Sequence, residues 1–198
     1  MFRKRLDLKL AIACSIAVAA SVANAESSSA EMLSNTCVGC HGTNGVSEGP
    51  AIPSIAGMSE SYFMDAMQEY AKDDRVSTIM GRIARGYTED ELKAMASFYA
   101  KQKSVGAKQK YSASKAKKGR KLHDKYCEKC HEDGGTSAED DAGILAGQWK
   151  PYLVYAMEDF HSGARSMPKK MKKKVKKMIK KKGKKSEALL NEYYASQQ

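Results

Sequence analysis

The sequence predicts an all-α fold built from two copies of one small domain. The segment SIAGMSESYFMDAMQEYAKDDR at 54–75 aligns with ILAGQWKPYLVYAMEDFHSGAR at 144–165, at an offset of 90 positions throughout. Apolar residues recur at helical spacing in both segments. No stretch of useful length alternates apolar and polar residues as a half-buried strand does. The repeat and the helical spacing together predict a duplicated helical domain.

Each predicted helix has its own local signal. In the first copy, a helix over 59–71 begins through Ser59, with an apolar stripe along one face. The segment TEDEL at 88–92 is a capping box, because Thr88 and Glu91 have the spacing that satisfies two free N–H groups at a helix start. Short helices are also expected to precede and include two cysteine motifs, over roughly 28–41 and 114–131.

The chain begins with the features of a secretory signal peptide. Three basic residues at 3–5 precede an apolar run that ends near Val22, and small residues at Ala23 and Ala25 favour cleavage after Ala25. The run is shorter than the roughly 20 residues that span a membrane, and no stop-transfer pattern follows it. We therefore expect a periplasmic protein with no membrane span after signal removal. Cys14 lies inside the signal, which leaves four cysteines in the mature chain.

All four mature cysteines belong to two CxxCH motifs, CVGCH at 37–41 and CEKCH at 127–131. In such a motif the two thiols each form a thioether to a haem vinyl group, and the adjoining histidine binds the iron. Two motifs predict two covalently bound haem c groups. The expected residues are Cys37, Cys40 and His41 for the first haem and Cys127, Cys130 and His131 for the second. Two other interpretations stay open, a zinc site shared by the motifs and plain disulfides.

The motifs and the repeat divide the chain into four parts. We predict a signal peptide at 1–25, a first cytochrome-like domain at 26–103, a linker at 104–113 and a second domain at 114–198. The linker is polar and rich in lysine. Each domain is small for a self-sufficient apolar core, and a covalently held haem would supply the missing centre.

A methionine is predicted to be the sixth ligand of each iron, because histidine and methionine together suit electron transfer. In the first copy the candidate is Met80, which lies 39 positions after His41 in a predicted loop ahead of the last helix. In the second copy Met167 lies 36 and Met171 lies 40 positions after His131. The repeat offset rises from 90 to 95 toward the end of the chain, so we choose Met171.

Two other histidines are not expected to bind iron. His161 matches Ala71, at the end of a predicted helix of the first copy, and is predicted to lie on the surface. His123 is too close to its own motif to reach the far face of the iron. A ligating imidazole is held by the group that accepts its second N–H. The carbonyl of Pro53 is predicted to do this for His41, and Gly143 is the matching residue in the second copy.

Charge is distributed unevenly between the two halves. Residues 26–106 have a net charge of −4 and residues 107–198 of +12, and twelve of the seventeen residues at 169–185 are lysine. This run is interpreted as a solvated helix face, as a docking surface for an acidic redox partner, or as a surface attracted to anionic lipid. Nucleic-acid binding is not expected, because the chain is exported and no recognition fold accompanies the charge.

No element of a catalytic site is visible in the sequence. It contains neither a Gly-rich dinucleotide fingerprint nor a nucleophile beside a base, and both irons are expected to carry a sixth ligand. The chain is therefore predicted to be an electron-transfer protein and not itself an enzyme. A haem enzyme or gas sensor with one open iron is the alternative from a different class.

The longer strings around the motifs resemble a known family. Two CxxCH domains in tandem, each followed by AGM or AGQ and a late methionine, look like dihaem cytochromes of the c4 type, with class I cytochrome c domains. More specifically, STIMGRIARGY, KLHDKYCEKCHEDGG and ILAGQWKPYLVYAMEDF resemble the cytochrome subunits of flavocytochrome c sulfide dehydrogenases. The resemblance covers nearly the whole mature chain, and the lysine density around the second methionine departs from it.

The resemblance implies partners and residue roles. The expected donor is a periplasmic FAD flavoprotein that oxidises sulfide and passes electrons singly into the haems, and a soluble acceptor receives them. The residues implied are Cys37, Cys40, His41 and Met80 for one haem and Cys127, Cys130, His131 and Met171 for the other. A free c4-like shuttle that delivers electrons to a terminal oxidase is the competing expectation.

Overall fold

A computed structural model of the protein describes residues 30–139 and 142–198. The predicted signal peptide at 1–25 lies outside these residues. The described part contains no β-strand, and its isolated β-bridge joins Arg75 to Arg165. The prediction of an all-α fold is therefore confirmed. Within the same ranges, no helix combines the length and the apolar character that crossing a membrane requires.

The helices repeat in the same order in the two halves. Residues 30–35 are helical and lead into the first cysteine motif, and residues 103–112 connect the halves without regular secondary structure. The helices of the first half are α1 (Val38–His41), α2 (Glu60–Ala71), α3 (Met80–Ala84) and α4 (Glu89–Ala100). Those of the second half are α5 (Ala113–Tyr126), α6 (Lys150–Ser162), α7 (Lys169–Lys182) and α8 (Lys185–Ala195).

The sequence signals place two helix starts correctly. Ser59 caps α2, and its hydroxyl accepts a hydrogen bond from the Tyr62 N–H at 3.2 Å. Thr88 and Glu91 form both hydrogen bonds of the capping box at α4. The Glu91 N–H donates to Thr88 Oγ1 at 3.3 Å, and the Thr88 N–H donates to Glu91 Oε2 at 2.7 Å. These signals succeed because each cap involves residues only three positions apart.

The predicted helix through the second cysteine motif is wrong in its extent. Helix α5 ends at Tyr126, before the motif begins. The N–H groups of Cys127 and Glu128 both bond to the carbonyl of His123, at 2.8 and 3.0 Å. The helix ends where two N–H groups share one carbonyl, and the cysteine motif that follows forms a separate turn.

Each half has its own apolar core, and the two cores use matching positions. In the first, Met95 and Tyr99 of α4 are completely or almost completely buried. Leu190 and Tyr194 of α8 occupy the same positions in the second core, 95 residues later in the chain. Other buried members include Phe63, Met67 and Leu92 in the first core, and Leu122, Tyr126, Leu153 and Met178 in the second.

Helices α5 and α8 cross closely at Gly119. A Cβ atom added to Gly119 would lie 2.0 Å from the carbonyl oxygen of Leu189 and 2.8 Å from Cβ of Tyr193. Gly119→Ala should therefore force the helices apart and lower the free energy of unfolding by roughly 3 kcal/mol. Chemical denaturation of the holoprotein measures the change. Lys118→Ala, at an exposed neighbouring position, serves as control and should change the free energy of unfolding little. Equal stability of the two variants would contradict the close approach of α5 and α8 at Gly119.

Gln148 joins the two halves through both atoms of its side-chain amide. Its Oε1 accepts a hydrogen bond from the Ser54 N–H at 3.0 Å, and its Nε2 donates to the Ser54 carbonyl at 2.8 Å. Both residues are buried. Beside this pair, Trp149 Nε1 donates to the Ser47 carbonyl at 3.0 Å. The contact fixes the backbone of the first half immediately after Pro53.

A second contact between the halves is nearly symmetric. Arg75 lies over the ring of Tyr70 at 4.6 Å, and Arg165 lies over the ring of Phe160 at 4.4 Å. These pairs are 90 positions apart in the repeat, and the two arginines meet in the isolated β-bridge. Arg165 also donates to the Tyr62 hydroxyl at 3.1 Å. Equivalent residues of the duplicated domain thus face each other at the interface.

Candidate haem-binding sites

Both cysteine motifs form the same single turn. The N–H groups of Cys40 and His41 bond to the Cys37 carbonyl at 3.2 and 2.9 Å. The N–H groups of Cys130 and His131 bond to the Cys127 carbonyl at 3.1 and 3.0 Å. All four thiols are free. In each motif the first cysteine is half-buried against the core, and the second is exposed.

His41 is held as the sequence predicts. Its Nδ1 lies 2.8 Å from the carbonyl oxygen of Pro53, which fixes the ring and leaves Nε2 as the available ligand atom. Burial lowers the pKa of His41, and the hydrogen bond to Pro53 opposes this effect. The ring is therefore favoured in its neutral form, the form in which imidazole binds a metal.

His131 differs in its second nitrogen. Its Nδ1 is buried and has no hydrogen-bond partner in the part of the chain that the structure describes. Burial lowers the pKa of His131, and the nearby Gly143 carbonyl, which opposes the effect, lies outside hydrogen-bonding geometry. A buried nitrogen without a partner is costly. A small movement of the Gly143 segment would give His131 the bond that His41 already has.

The candidate methionines lie at the starts of helices. Met80 is the first residue of α3 and packs, half-buried, against the first core. Met171 lies in the first turn of α7 and is also half-buried. Met167 is half-buried as well and lines a groove of about 440 Å³ between α6 and α7, together with Phe160 and Val175. The ligand roles of Met80 and Met171, and the choice of Met171 over Met167, stay predictions.

The placement of the two motifs argues against a zinc site that they share. A shared zinc site would need the motifs to converge, and the described residues contain no group of three or more His, Cys, Asp or Glu side chains that could hold a metal ion. Two thiols and an adjoining imidazole within one turn are the groups that covalent haem attachment uses.

One buried polar group was not predicted from the sequence. His123 is completely buried, and its Nδ1 lies 3.0 Å from the Tyr194 hydroxyl. Its Nε2 is hydrogen-bonded to the carboxylate of Glu128, inside the second cysteine motif. The spacing of His123 from Tyr126, three positions along the same helix, is the one local signal of an inward position, because its partner on α8 is 71 residues away in sequence.

Comparisons with known proteins agree with this geometry. A family model described as cytochrome c matches residues 28–103. Cytochrome c-554(548) of Halomonas halodenitrificans is 30% identical over 70 residues, which cover 34% of this chain and 84% of that protein. The chain belongs to the cytochrome c family.

Further relatives of this cytochrome extend the comparison. The cytochrome subunit of sulfide dehydrogenase from Chlorobaculum tepidum is 45% identical over 69 residues, which are 35% of this chain and 62% of that subunit. The match thus spans less than two thirds of the relative. The crystal structure of reduced cytochrome c4 from Pseudomonas stutzeri aligns with a TM-score of 0.71 at 24% identity, covering 85% of this chain and 98% of that one.

The structural likeness confirms two tandem class I cytochrome c domains in this cytochrome. At this identity the likeness to cytochrome c4 establishes the fold alone. Family membership and the tandem fold together indicate covalently bound haem c and an electron-transfer function.

Proposed function

We propose that the protein is the periplasmic cytochrome subunit of a complex in which an FAD flavoprotein oxidises sulfide. In this role it accepts electrons singly and passes them to a soluble acceptor. The observation that carries the proposal is the 45% identity to a protein named as the cytochrome subunit of sulfide dehydrogenase. The strings STIMGRIARGY and KLHDKYCEKCHEDGG carry the same resemblance in the sequence.

The residues of the two motifs are proposed to hold the haems. The thioether residues are Cys37 and Cys40 in the first half and Cys127 and Cys130 in the second, and the axial ligands are His41 with Met80 and His131 with Met171. Bound in this way, haem supplies a one-electron couple whose potential is raised by methionine ligation. The chain's own contribution is to fix these groups and to exclude water from them.

Two contacts position the first site relative to the second half. The Pro53 carbonyl orients His41, and the next residue, Ser54, is bound on both sides of its backbone by Gln148. The support of the first imidazole is therefore tied directly to the second domain. A fixed distance between the two sites favours repeated electron transfer between them, because little rearrangement is needed.

The chemistry of sulfide is proposed to lie on the flavoprotein and not on this chain. With a methionine on each iron, neither haem has an open position for sulfide. The complex as a whole would then be a sulfide:cytochrome c oxidoreductase, with this protein as its electron-transfer part. A haem enzyme or sensor remains the alternative if one methionine does not bind.

A free shuttle of the c4 type is the second candidate. It is favoured by the structural likeness to cytochrome c4, which extends over both halves of the chain. The two candidates differ in the stability of their partner contact. A permanent subunit uses a large, largely apolar interface, whereas a shuttle docks transiently through complementary charge.

Helix α7 is the proposed exit surface for electrons. Ten of its fourteen residues are lysine, and none of these lysines forms an ion pair within the described residues. Its inward side carries the completely buried Met178 and the half-buried Val175. The same helix begins beside the proposed ligand Met171, so a partner on α7 docks close to the second haem.

Purification from the native periplasm tests the subunit proposal. We expect an FAD flavoprotein to co-purify with the unmodified protein through moderate salt.

In the same complex, reversing Lys172, Lys173, Lys176 and Lys177 to glutamate should leave co-purification intact. It should slow electron transfer to the soluble acceptor on the order of tenfold at low ionic strength, because these exposed lysines steer an acidic acceptor.

A matched variant distinguishes the effect of the α7 surface from the effect of the protein's net charge. Reversing the exposed Lys101, Lys103, Lys108 and Lys110 changes the charge by the same amount at the end of α4 and on the segment between the halves. This control should slow exit much less. If the α7 variant loses the flavoprotein while its exit rate is unchanged, the assignment of surfaces is wrong. If no flavoprotein accompanies the unmodified protein, the c4-like shuttle becomes the better proposal.

A further inference from the structure

One peptide unit joins the first imidazole to the second half of the protein. His41 Nδ1 lies 2.8 Å from the Pro53 carbonyl oxygen, and Gln148 Oε1 accepts a hydrogen bond from the Ser54 N–H at 3.0 Å. The Pro53 carbonyl and the Ser54 N–H belong to the same planar peptide group. A single rigid plane therefore carries the proposed iron ligand on one side and a side chain of the second half on the other.

The bond that Gln148 makes acts on the bond at His41. An acceptor placed on the N–H of a peptide group polarises that group and increases the negative charge on its carbonyl oxygen, so consecutive hydrogen bonds strengthen one another. The Pro53 oxygen thus becomes a better acceptor for the Nδ1 hydrogen of His41. A stronger bond at Nδ1 raises the basicity of the imidazole toward a metal at Nε2.

This peptide unit is shielded from water and well fixed. Ser54 is 5% exposed and Gln148 is 4% exposed, and hydrogen bonds in such an environment are electrostatically stronger than bonds in water. Gln148 Nε2 also donates to the Ser54 carbonyl at 2.8 Å, and Ser54 Oγ accepts a hydrogen bond from the Ser47 N–H at 3.1 Å. All three polar groups of Ser54 are therefore bonded, which leaves the peptide plane little freedom to turn away from His41.

Gln148 is itself held in place by the segment that connects the halves. Gln109 Nε2 donates to the Gln148 carbonyl at 2.8 Å, and Gln109 Oε1 accepts a hydrogen bond from the Lys150 N–H at 3.0 Å. The Gln148 N–H bonds to the Leu145 carbonyl at 3.3 Å. Because its main chain is fixed in this way, the side chain of Gln148 is preorganised to bind Ser54.

The repeat does not reproduce this arrangement for the second site. At the offset of 90, Met58 occupies the position that matches Gln148, and Ile144 occupies the position that matches Ser54. A thioether has no hydrogen to donate and accepts hydrogen bonds only weakly. Met58 therefore cannot hold the matching peptide unit of the second half as Gln148 holds that of the first.

We propose that Gln148 is a positioning residue for the first haem, supplied by the second domain. It strengthens the hydrogen bond between His41 and Pro53 and makes the imidazole more basic. A more basic ligand stabilises the oxidised iron, so Gln148 lowers the potential of the first haem, and Met58 does not do this for the second. The inference rests on the proposed haem attachment at the first cysteine motif, with His41 as ligand, and does not depend on the flavoprotein.

Gln148→Met tests the inference, because it keeps the length of the side chain and loses both hydrogen bonds to Ser54. Redox titration of the holoprotein, with each haem followed by its own shifted NMR signals, measures both potentials. The reduction equilibrium of the first haem should move about threefold toward the reduced form, which is about 28 mV for one electron. The potential of the second haem should stay unchanged. The ring N–H of His41 should also exchange faster with solvent.

Tyr62→Phe is the matched control. It removes the hydrogen bond that Arg165 donates between the halves at 3.1 Å and leaves both bonds of Gln148 in place, so the potential of the first haem should not change. If Gln148→Met does not fold, Gln109→Ala takes its place. This change loosens the main chain of Gln148 and should raise the potential of the first haem by a smaller amount.

Two kinds of result would overturn the inference. An unchanged potential of the first haem in Gln148→Met, or in Gln109→Ala where that variant is needed, would reduce Gln148 to a packing role. Equal shifts of both haems, or the same shift in Tyr62→Phe, would indicate a general loosening of the contact between the halves. Absorption spectra and haem content of the unmodified protein report haem attachment beforehand, so a wrong haem assignment is recognised separately from a wrong role for Gln148.

Discussion

Replacing Cys127 and Cys130 by serine should remove one covalent haem and unfold the second half of the protein. The second core is built from few buried apolar side chains, and α7 contributes Met178 as its one completely buried residue among those described. Without haem, a domain of this size has too little apolar surface to offset the entropy of folding. Haem content by absorption and helix content by circular dichroism measure both effects.

The first half provides the control for this experiment. Cys37→Ser with Cys40→Ser should remove the other haem and leave the thermal transition of the second half in place. The matching pair of variants thus reports whether each domain depends on its own haem. Native helix content and two sharp transitions in the Cys127 and Cys130 variant would show that the cysteines are dispensable for folding, contrary to the proposal.

Met171→Ala should remove about half of the sulfur-to-iron absorption band of the oxidised protein, because one of two irons loses its methionine. The band lies near the red end of the visible spectrum. Loss of the ligand should also lower the potential of the second haem and leave that iron open to added ligands. Absorption spectra of the oxidised protein, with and without an added small ligand, measure the change.

Met167→Ala is the paired variant for ligand choice. Met167 lines the groove between α6 and α7, so its truncation should leave the band close to normal. The reverse outcome, with the band halved by Met167→Ala and retained in Met171→Ala, would transfer the ligand role to Met167. An unmodified protein with only half of the expected band would favour the haem enzyme or sensor with one open iron.

The sequence alone predicted the features that depend on neighbouring residues and on the repeat. The CxxCH motifs are specific because haem attachment needs three side chains within one turn. The cap at Ser59 and the capping box at Thr88 were predictable because their partners are three residues away. The duplication indicated two matching helical halves, and the Pro53 carbonyl was found because it lies close to His41 in sequence.

The limits of local reasoning are visible at the second motif. Helix α5 was expected to continue through it, but the two N–H groups that share the His123 carbonyl end the helix at Tyr126. Helical spacing does not reveal which carbonyl receives a second donor. Gly143, the sequence match of Pro53, does lie near Nδ1 of His131, but the sequence could not show that the hydrogen bond itself is not formed.

The amino-acid sequence thus determined the family, the helical class and the candidate haem residues, since each depends on short-range spacing or on comparison of the two copies. Only the tertiary structure brought Gln148 to Ser54 across 94 positions, and His123 to Tyr194 across 71. Such pairs carry no periodic signal, because a long-range hydrogen bond depends on how whole helices pack. The close approach of α5 to α8 at Gly119 places His123 beside Tyr194.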